Sequence, residues 1–259
     1  MTGVVAGVCA VLGLAVGSFC NVVIWRVPRK ESIVRPASHC PSCDVAIAPR
    51  DNVPVASWVL LKGRCRHCGT GIPARYPLVE LLTAVLFAAV GARLADSWVL
   101  PAYLVFTAGL IALAFIDLDT MTLPNRVLYP VGFCSVPLLA LGAWLDGEVD
   151  GLVRALLGGA AAFAFFCVVF SLSPRSMGFG DVRLSALLGI FLGYLGWGYV
   201  FFGLFAGFCY GAVVGVALMA AGRHRRRQPI PFGPFLAAGA LTFVLAGAPV
   251  LDWYRNLGA

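Results

Sequence analysis

Long apolar segments alternate with short polar segments along most of this chain. A membrane-spanning helix needs about 20 mostly apolar residues, and segments of that kind predict eight spans. The predicted spans are residues 4–24, 77–94, 98–116, 127–145, 152–172, 184–196, 198–221 and 232–251. The sixth is the shortest, and the following Gly196-Trp197-Gly198 is interpreted either as a tight turn between two spans or as a kink within a longer one. The pattern predicts an all-α polytopic membrane protein.

One hydrophilic segment, residues 26–76, interrupts the series of spans. The predicted domain organisation is therefore a first transmembrane helix at 1–25, a small insertion at 26–76 and a transmembrane bundle at 77–259. The basic cluster follows the first span instead of preceding it, which is unlike a cleaved signal peptide. We expect the first span to remain in the protein as a helix.

Composition and charge agree with a membrane location. Hydrophobic residues make up 60% of the chain and charged residues 12%, whereas soluble domains carry about 25% charged residues. If the N-terminus is outside, all basic residues except Arg93, Arg154 and Arg255 fall on the inside, as the positive-inside rule requires. This predicts outside termini, a cytoplasmic insertion and no nucleic-acid partner, since the net charge of +7 lies against a membrane.

Four of the nine cysteines form two C-x-x-C pairs within the insertion. They are Cys40, Cys43, Cys65 and Cys68. Two such pairs are typical of a four-cysteine zinc ribbon, because each pair can direct two thiolates at one tetrahedral ion. Two disulfides are the alternative, but a reducing cytosol disfavours them. A redox role, or His67 in place of one thiolate, remains open at this point.

Two aspartates occupy span ends that the topology places at the same membrane face. Asp117 directly follows the third predicted span, and Asp181 ends the tetrapeptide Gly178-Phe179-Gly180-Asp181 before the sixth. Ionisable groups beside hydrocarbon are costly and mark functional sites. Two adjacent carboxyls can share a proton and activate water, as in aspartic proteases. Gly178 and Gly180 would allow an extended substrate to approach closely, which makes them candidate substrate-binding residues.

Each acid also has a simpler interpretation. An aspartate near a helix N-terminus complements the helix dipole, which fits Asp181 well and Asp117 poorly. Asp119 is an alternative to Asp117 for the same role. A transporter or proton relay would also use intramembrane acids, but it predicts them near mid-bilayer. A non-enzymatic assembly scaffold would explain the cysteines and leave the aspartate motif without a role.

Further motifs lie in a fixed order along the chain. They are residues 17–28 (GSFCNVVIWRVP), 35–43 (RPASHCPSC), 52–58 (NVPVASW), 61–65 (LKGRC), 75–80 (RYPLVE) and 230–237 (IPFGPFLA). Together with the two aspartate motifs, they resemble the prepilin peptidase family, the type IV prepilin leader peptidases among the Gly-x-Gly-Asp membrane aspartic proteases. The resemblance covers nearly the whole chain.

The resemblance implies an enzyme of the bacterial plasma membrane that removes the short basic leader from type IV prepilin or pseudopilin precursors at the cytoplasmic face. It implies Asp117 and Asp181 as the catalytic pair, with the four insertion cysteines as zinc ligands. Many family members also methylate the new N-terminus with S-adenosylmethionine, an activity associated with the insertion. Glu80 is a candidate leader-binding acid, or alternatively a buried partner for an arginine.

The sequence departs from the family pattern at two positions. Arg183 stands where a lysine is usual, and Asn125 stands where a third acid often follows the Leu-Pro dipeptide. Neither change removes a catalytic group. As a hypothesis, one aspartate is ionised and takes a proton from water, while the other is protonated and polarises the scissile carbonyl. Residues 223–227, a basic run, are interpreted as anchors to anionic lipid.

Overall fold

A computed structural model describes residues 1–173, 177–222 and 230–256, without the side chain of Arg255. Within these ranges the secondary structure is helical, apart from two isolated β-bridges. The helices are α1 (Thr2–Arg26), α2 (Ala56–Leu60), α3 (Arg75–Arg93), α4 (Leu100–Thr120), α5 (Asn125–Leu145), α6 (Asp150–Leu172), α7 (Phe179–Leu195), α8 (Trp197–Ala220) and α9 (Gly233–Asn256). The predicted all-α fold is confirmed.

Seven of the described helices are long and apolar enough to cross a membrane. They are α1, α3, α4, α5, α6, α8 and α9. The remaining predicted span corresponds to α7, which has 17 residues, at the lower limit for a span. A single residue, Gly196, separates α7 from α8, and its φ of 148° is one that residues with a Cβ rarely adopt. The Gly196-Trp197-Gly198 segment is therefore a turn between two helices.

The chain forms two compact units, and the first comprises Met1–Asp96. Its helices α1 and α3 run antiparallel at close range. A methyl group built on Gly13 would lie 2.7 Å from the Cα of Ala84, and one built on Gly17 would lie 2.7 Å from the Cα of Glu80. Small residues four apart allow membrane helices this close approach. The packing places Glu80 directly against α1.

Side chains of α1 hold the insertion and the start of α3. The buried guanidinium of Arg26 donates to the carbonyls of Ser32 at 3.0 Å and Pro36 at 2.8 Å. Asn21 Nδ2 donates to the Tyr76 carbonyl at 3.0 Å. These contacts satisfy buried polar groups of a segment that is too short to build a large core of its own.

The second unit comprises Ser97–Ala259, and most residues of α7 are buried within it. The rings of Phe106 and Phe191 stack with centroids 4.1 Å apart, and the Tyr103 hydroxyl donates to the Phe191 carbonyl at 2.7 Å. At the end of α7, Arg154 donates to the Gly193 carbonyl at 3.0 Å and to that of Tyr194 at 2.7 Å. These bonds satisfy carbonyls that a helix end leaves unpaired.

Two predictions concern residues outside the described ranges. The basic run 223–227, interpreted as a lipid anchor, lies there, as does Arg175, which the charge argument also counted. The predicted domain boundaries and the predicted orientation of the termini stay predictions as well. The multi-span membrane character itself follows from the seven apolar helices.

Candidate catalytic and metal sites

Asp117 lies inside the last turn of α4, because that helix continues to Thr120, past the predicted end of the span. Met121 then adopts a left-handed conformation, and its N–H bonds to the Asp117 carbonyl at 2.8 Å. The Asp117 side chain is buried. Its Oδ2 accepts a hydrogen bond of 3.1 Å from the backbone N–H of Gly233, the first residue of α9. The positive end of the α9 dipole therefore faces this carboxyl.

Asp181 lies in the first turn of α7, which begins at Phe179 and thus earlier than predicted. Its Oδ2 accepts a hydrogen bond of 3.2 Å from the Gly178 N–H. Its Oδ1 is buried and has no hydrogen-bond partner within the described part of the chain. A buried carboxylate oxygen without a partner is costly, and such an oxygen is available to bind a polar ligand.

The structure brings the two predicted aspartates together. Asp117 and Asp181 are close enough to interact electrostatically. Leu123 packs against Gly180, which precedes Asp181, and against Gly233, which donates to Asp117. A methyl group built on Gly180 would lie 2.9 Å from Leu123 Cβ, and one built on Gly233 would lie 3.2 Å from Leu123 Cδ2. The loop after α4 therefore contacts the first turns of both α7 and α9.

The other residues of the aspartate motifs have different surroundings. Gly180 faces Leu123, whereas a methyl group built on Gly178 would come no closer than 3.6 Å, to Asp181 Oδ2. Gly180 is therefore explained by packing in part, and the predicted substrate contacts of both glycines stay predictions. Asp119 is exposed at the end of α4, while Asp117 is buried. This difference favours Asp117 over Asp119 for a shielded site.

Sequence reasoning missed Gly233 and Leu123 as members of this site. Gly233 lies in the segment 230–237 and Leu123 in the Leu-Pro dipeptide before Asn125, and these family motifs are the signal that could have identified them. Gly233 cannot carry a side chain without disturbing Asp117, since a methyl group there would lie 2.8 Å from Asp117 Oδ2. A contact that joins residues 116 positions apart depends on how α4 and α9 pack.

The two departures from the family pattern are in contact. Arg183 Nη1 donates to Asn125 Oδ1 at 2.5 Å. The Arg183 guanidinium also lies over the ring of Phe179, 4.6 Å from its centroid. Asn125 is the first residue of α5 and Phe179 the first of α7. Arg183 thus connects the start of α5 to the helix that carries Asp181.

The four insertion cysteines form one cluster. Cys40, Cys43, Cys65 and Cys68 have sulfur atoms within 4.8 Å of one another, and the sulfurs of Cys40 and Cys68 are 3.8 Å apart. Four thiolates around a tetrahedral zinc ion, with Zn–S bonds of about 2.3 Å, would lie about 3.8 Å apart. The cysteines are free thiols, so the disulfide alternative is not the one the structure adopts. The residues present fit zinc.

The two C-x-x-C segments have the same pattern of backbone hydrogen bonds. In the first segment, the Cys40 N–H donates to the Val45 carbonyl, and the Asp44 N–H donates to the Cys40 carbonyl. In the second segment, the Cys65 N–H donates to the Thr70 carbonyl, and the Gly69 N–H donates to the Cys65 carbonyl. Asp44 and Gly69 both have positive φ, 54° and 72°. Aspartate is among the few residues other than glycine that tolerate this conformation. Glycine at position 69 adopts it without steric cost.

The thiols of the cluster differ in acidity. The sulfur of Cys68 lies 3.3 Å from Thr70 Oγ1, and this hydrogen bond lowers the pKa of Cys68 to about 6. A hydrogen bond from the Val45 backbone acts in the same direction on Cys43, but desolvation and the neighbouring Cys40 raise the pKa of Cys43 to about 12. Packed thiols cannot all ionise without a cation, so the cluster is suited to a metal.

Two protein-family models match this chain. The Bacterial Peptidase A24 N-terminal domain matches residues 11–94. The Type IV leader peptidase family matches residues 104–216, a range that includes both aspartates and the Arg183–Asn125 contact. The chain belongs to the type IV leader peptidase family. The family resemblance inferred from the motifs is confirmed.

Similar proteins extend over almost the whole chain. A "Prepilin leader peptidase/N-methyltransferase" of Bacillus subtilis is 37% identical over 95% of this chain and 96% of its own length. A protein of that name from Aeromonas hydrophila is 36% identical over 93% of this chain and 90% of its own length. A protein of that name from Myxococcus xanthus is 43% identical over 82% of this chain and 63% of its own length. No solved structure gives a significant match.

Proposed function

We propose that this chain is a membrane-embedded aspartic endopeptidase that removes the leader from type IV prepilin-like precursors and N-methylates the new N-terminus. The names of its relatives, prepilin leader peptidase and N-methyltransferase, support both activities. The observation that carries the peptidase assignment is the buried pair Asp117 and Asp181, which lie at the ends of α4 and α7 and interact electrostatically.

In the proposed reaction, one carboxyl of the pair is ionised and the other protonated. The ionised carboxylate takes a proton from a water molecule, and the resulting hydroxide attacks the scissile carbonyl carbon. The protonated carboxyl donates to the carbonyl oxygen and stabilises the charge that develops there. Collapse of the tetrahedral intermediate breaks the C–N bond, and the leaving amine takes the proton that came from water.

Three surrounding groups would keep this pair in place. The Gly233 N–H donates to Asp117, the Gly178 N–H donates to Asp181, and Leu123 fills the space beside both helix starts. Fixed donors and apolar packing hold a catalytic pair in one geometry, which lowers the reorganisation needed during reaction. Burial of both carboxyls at helix ends fits a membrane-embedded peptidase better than a mid-bilayer proton relay.

We assign the four insertion cysteines to a structural zinc ion and S-adenosylmethionine to the methylation step. Zinc with four thiolates has no open position, so it would hold the insertion together and take no part in cleavage. S-adenosylmethionine would supply an electrophilic methyl group to the amine exposed by cleavage. We also propose a bacterial inner-membrane location with the insertion on the cytoplasmic side. The apolar helices and the distribution of basic residues between the spans support this proposal.

The test uses detergent-purified full chain, a prepilin and S-adenosylmethionine, with products identified by mass spectrometry. We expect wild type to release the leader, Asp181→Asn to leave the precursor intact, and Glu148→Gln, a change at an exposed loop acid, to behave as wild type. A methyl mass on the mature N-terminus would identify the second activity. Equal cleavage by wild type and Asp181→Asn would refute the proposed catalytic pair.

A further inference from the structure

A cavity of about 480 Å³ lies within the first unit. Its wall combines the insertion with the end of α1 and the start of α3, from Ser18 to Glu80. The volume is within the range of about 300–1,000 Å³ that is typical of small-molecule sites. Neither Asp117 nor Asp181 lines it, so the cavity is distinct from the proposed peptidase site.

Glu80 gives this cavity a buried negative group. Its side chain is 8% exposed, and its Oε2 accepts a hydrogen bond of 2.7 Å from the Val55 N–H. Glu80 takes part in neither the His39–Asp44 nor the Arg66–Asp51 ion pair. A buried carboxylate without a cationic partner is costly, and a cationic ligand would compensate that cost.

The other charges along the wall do not offer the same opportunity. Asp51 is engaged by Arg66 in a two-pronged contact with distances from 2.6 to 3.1 Å. The buried Arg26 is satisfied by backbone carbonyls, and Asp44 is exposed to solvent with 91% of its side-chain surface accessible. Glu80 is thus the buried wall carboxylate that is left to meet a ligand.

The Glu80 contact also maintains an unusual backbone conformation. Val55 has φ 60° and ψ −52°, which is rare for a β-branched residue. Conformations of this kind are energetically costly and gather at ligand sites. The Val55 N–H that Glu80 accepts stands directly before α2, so the carboxylate fixes this part of the cavity wall.

Aromatic residues supply the apolar side of the cavity. Trp58 lines the wall and is fixed in two ways: its indole N–H donates to the Ile72 carbonyl at 3.0 Å, and its ring packs against Gly63. Trp25 and Tyr76 line the wall as well. Fixed aromatic rings provide flat apolar surfaces for a heteroaromatic base, and they also attract cations.

We propose that this cavity binds S-adenosylmethionine, with the Glu80 carboxylate contacting one of its cationic groups. The proposal rests on the methyltransferase part of the proposed function. The donor carries a sulfonium and an ammonium group, which match a buried carboxylate, together with a flat adenine, which matches the aromatic wall. A leader-binding role for Glu80 is the competing assignment, and the experiment below separates the two.

The experiment measures binding of S-adenosylmethionine to the full-length protein in detergent by isothermal titration calorimetry. Glu80→Gln keeps the size and an acceptor for Val55 while removing the charge, and we expect about tenfold or greater loss of affinity. Glu148→Gln removes an exposed charge in the second unit and should bind as wild type. Ala46→Trp, at an exposed wall position, should also weaken binding by filling the cavity.

Zinc content, the thermal unfolding midpoint and the KM for prepilin cleavage are measured on the same preparations. Weaker donor binding by folded Glu80→Gln and Ala46→Trp supports the proposal. Unchanged donor affinity in both variants overturns it, and a raised KM for cleavage in that case assigns Glu80 to the leader. Wild type that cleaves prepilin without binding the donor overturns this proposal alone, whereas wild type that does neither overturns the proposed function as well.

Discussion

Arg183 and Asn125 are joined by a hydrogen bond of 2.5 Å between Nη1 and Oδ1. The sequence showed them only as two separate departures from the family pattern, 58 positions apart. In the structure they are the two sides of one contact between the starts of α5 and α7. Because Asp181 lies two residues before Arg183, this contact can help to set the position of α7.

We expect the two residues to act as a unit in cleavage. An exposed hydrogen bond contributes about 1 kcal/mol, so Arg183→Ala and Asn125→Ala should each lower kcat/KM by about fivefold, and the double variant by little more than either. Arg126→Ala, at the exposed position next to Asn125, is the matched control. Losses that simply multiply in the double variant would mean that the contact has no bearing on the site.

The burial of Asp117 predicts a sharp contrast with Asp119. Asp117→Asn should reduce cleavage by several orders of magnitude, because an amide cannot take a proton from water. Asp119→Asn, at the exposed end of α4, should leave kcat within about threefold of wild type. Cleavage rates of both variants with one prepilin measure this contrast. The reverse result would transfer the catalytic role to Asp119.

The two glycines before Asp181 should differ in their tolerance of alanine. In Gly180→Ala the new methyl group would lie 2.9 Å from Leu123 Cβ, so Leu123 or the first turn of α7 must move. We expect at least about tenfold slower cleavage, since small displacements of a catalytic group are costly. Gly178→Ala meets ordinary contact distances and has φ −78°, so it should fold normally.

The measurement for this pair is the cleavage rate alongside the thermal unfolding midpoint. A slow Gly180→Ala enzyme with an unchanged midpoint would indicate local displacement of Asp181. If Gly178→Ala is the slower variant, close approach of substrate at Gly178, as the sequence predicts, would explain the motif better than packing against Leu123.

The cysteine cluster predicts one zinc ion per chain. Cys43→Ser should lose most of the metal and destabilise the insertion, because zinc binding to such a segment is coupled to its folding. Cys134→Ser changes an exposed cysteine of α5 and should retain full zinc. Elemental analysis of the purified proteins measures the ratio. Protons compete for thiolates, so zinc retention should also fall as the pH is lowered.

The sequence by itself determined the features that depend on local composition and spacing. The lengths of the apolar segments predicted the membrane helices, since each helix satisfies its own backbone hydrogen bonds. The spacing within Cys40–Cys43 and Cys65–Cys68 predicted the metal cluster, because two-residue spacing brings two thiolates to one ion. The same segment lengths misplaced the helix ends: α4 continues through Asp117 and α7 begins before Asp181.

Only the tertiary structure decided which distant residues meet. The Gly233 N–H reaches Asp117, Arg183 reaches Asn125, and Glu80 reaches the Val55 N–H. None of these pairs has a spacing that a helix or turn would impose, so no local pattern reveals them. They exist because small residues such as Gly17 let helices approach, and because buried polar groups must find partners where water is absent.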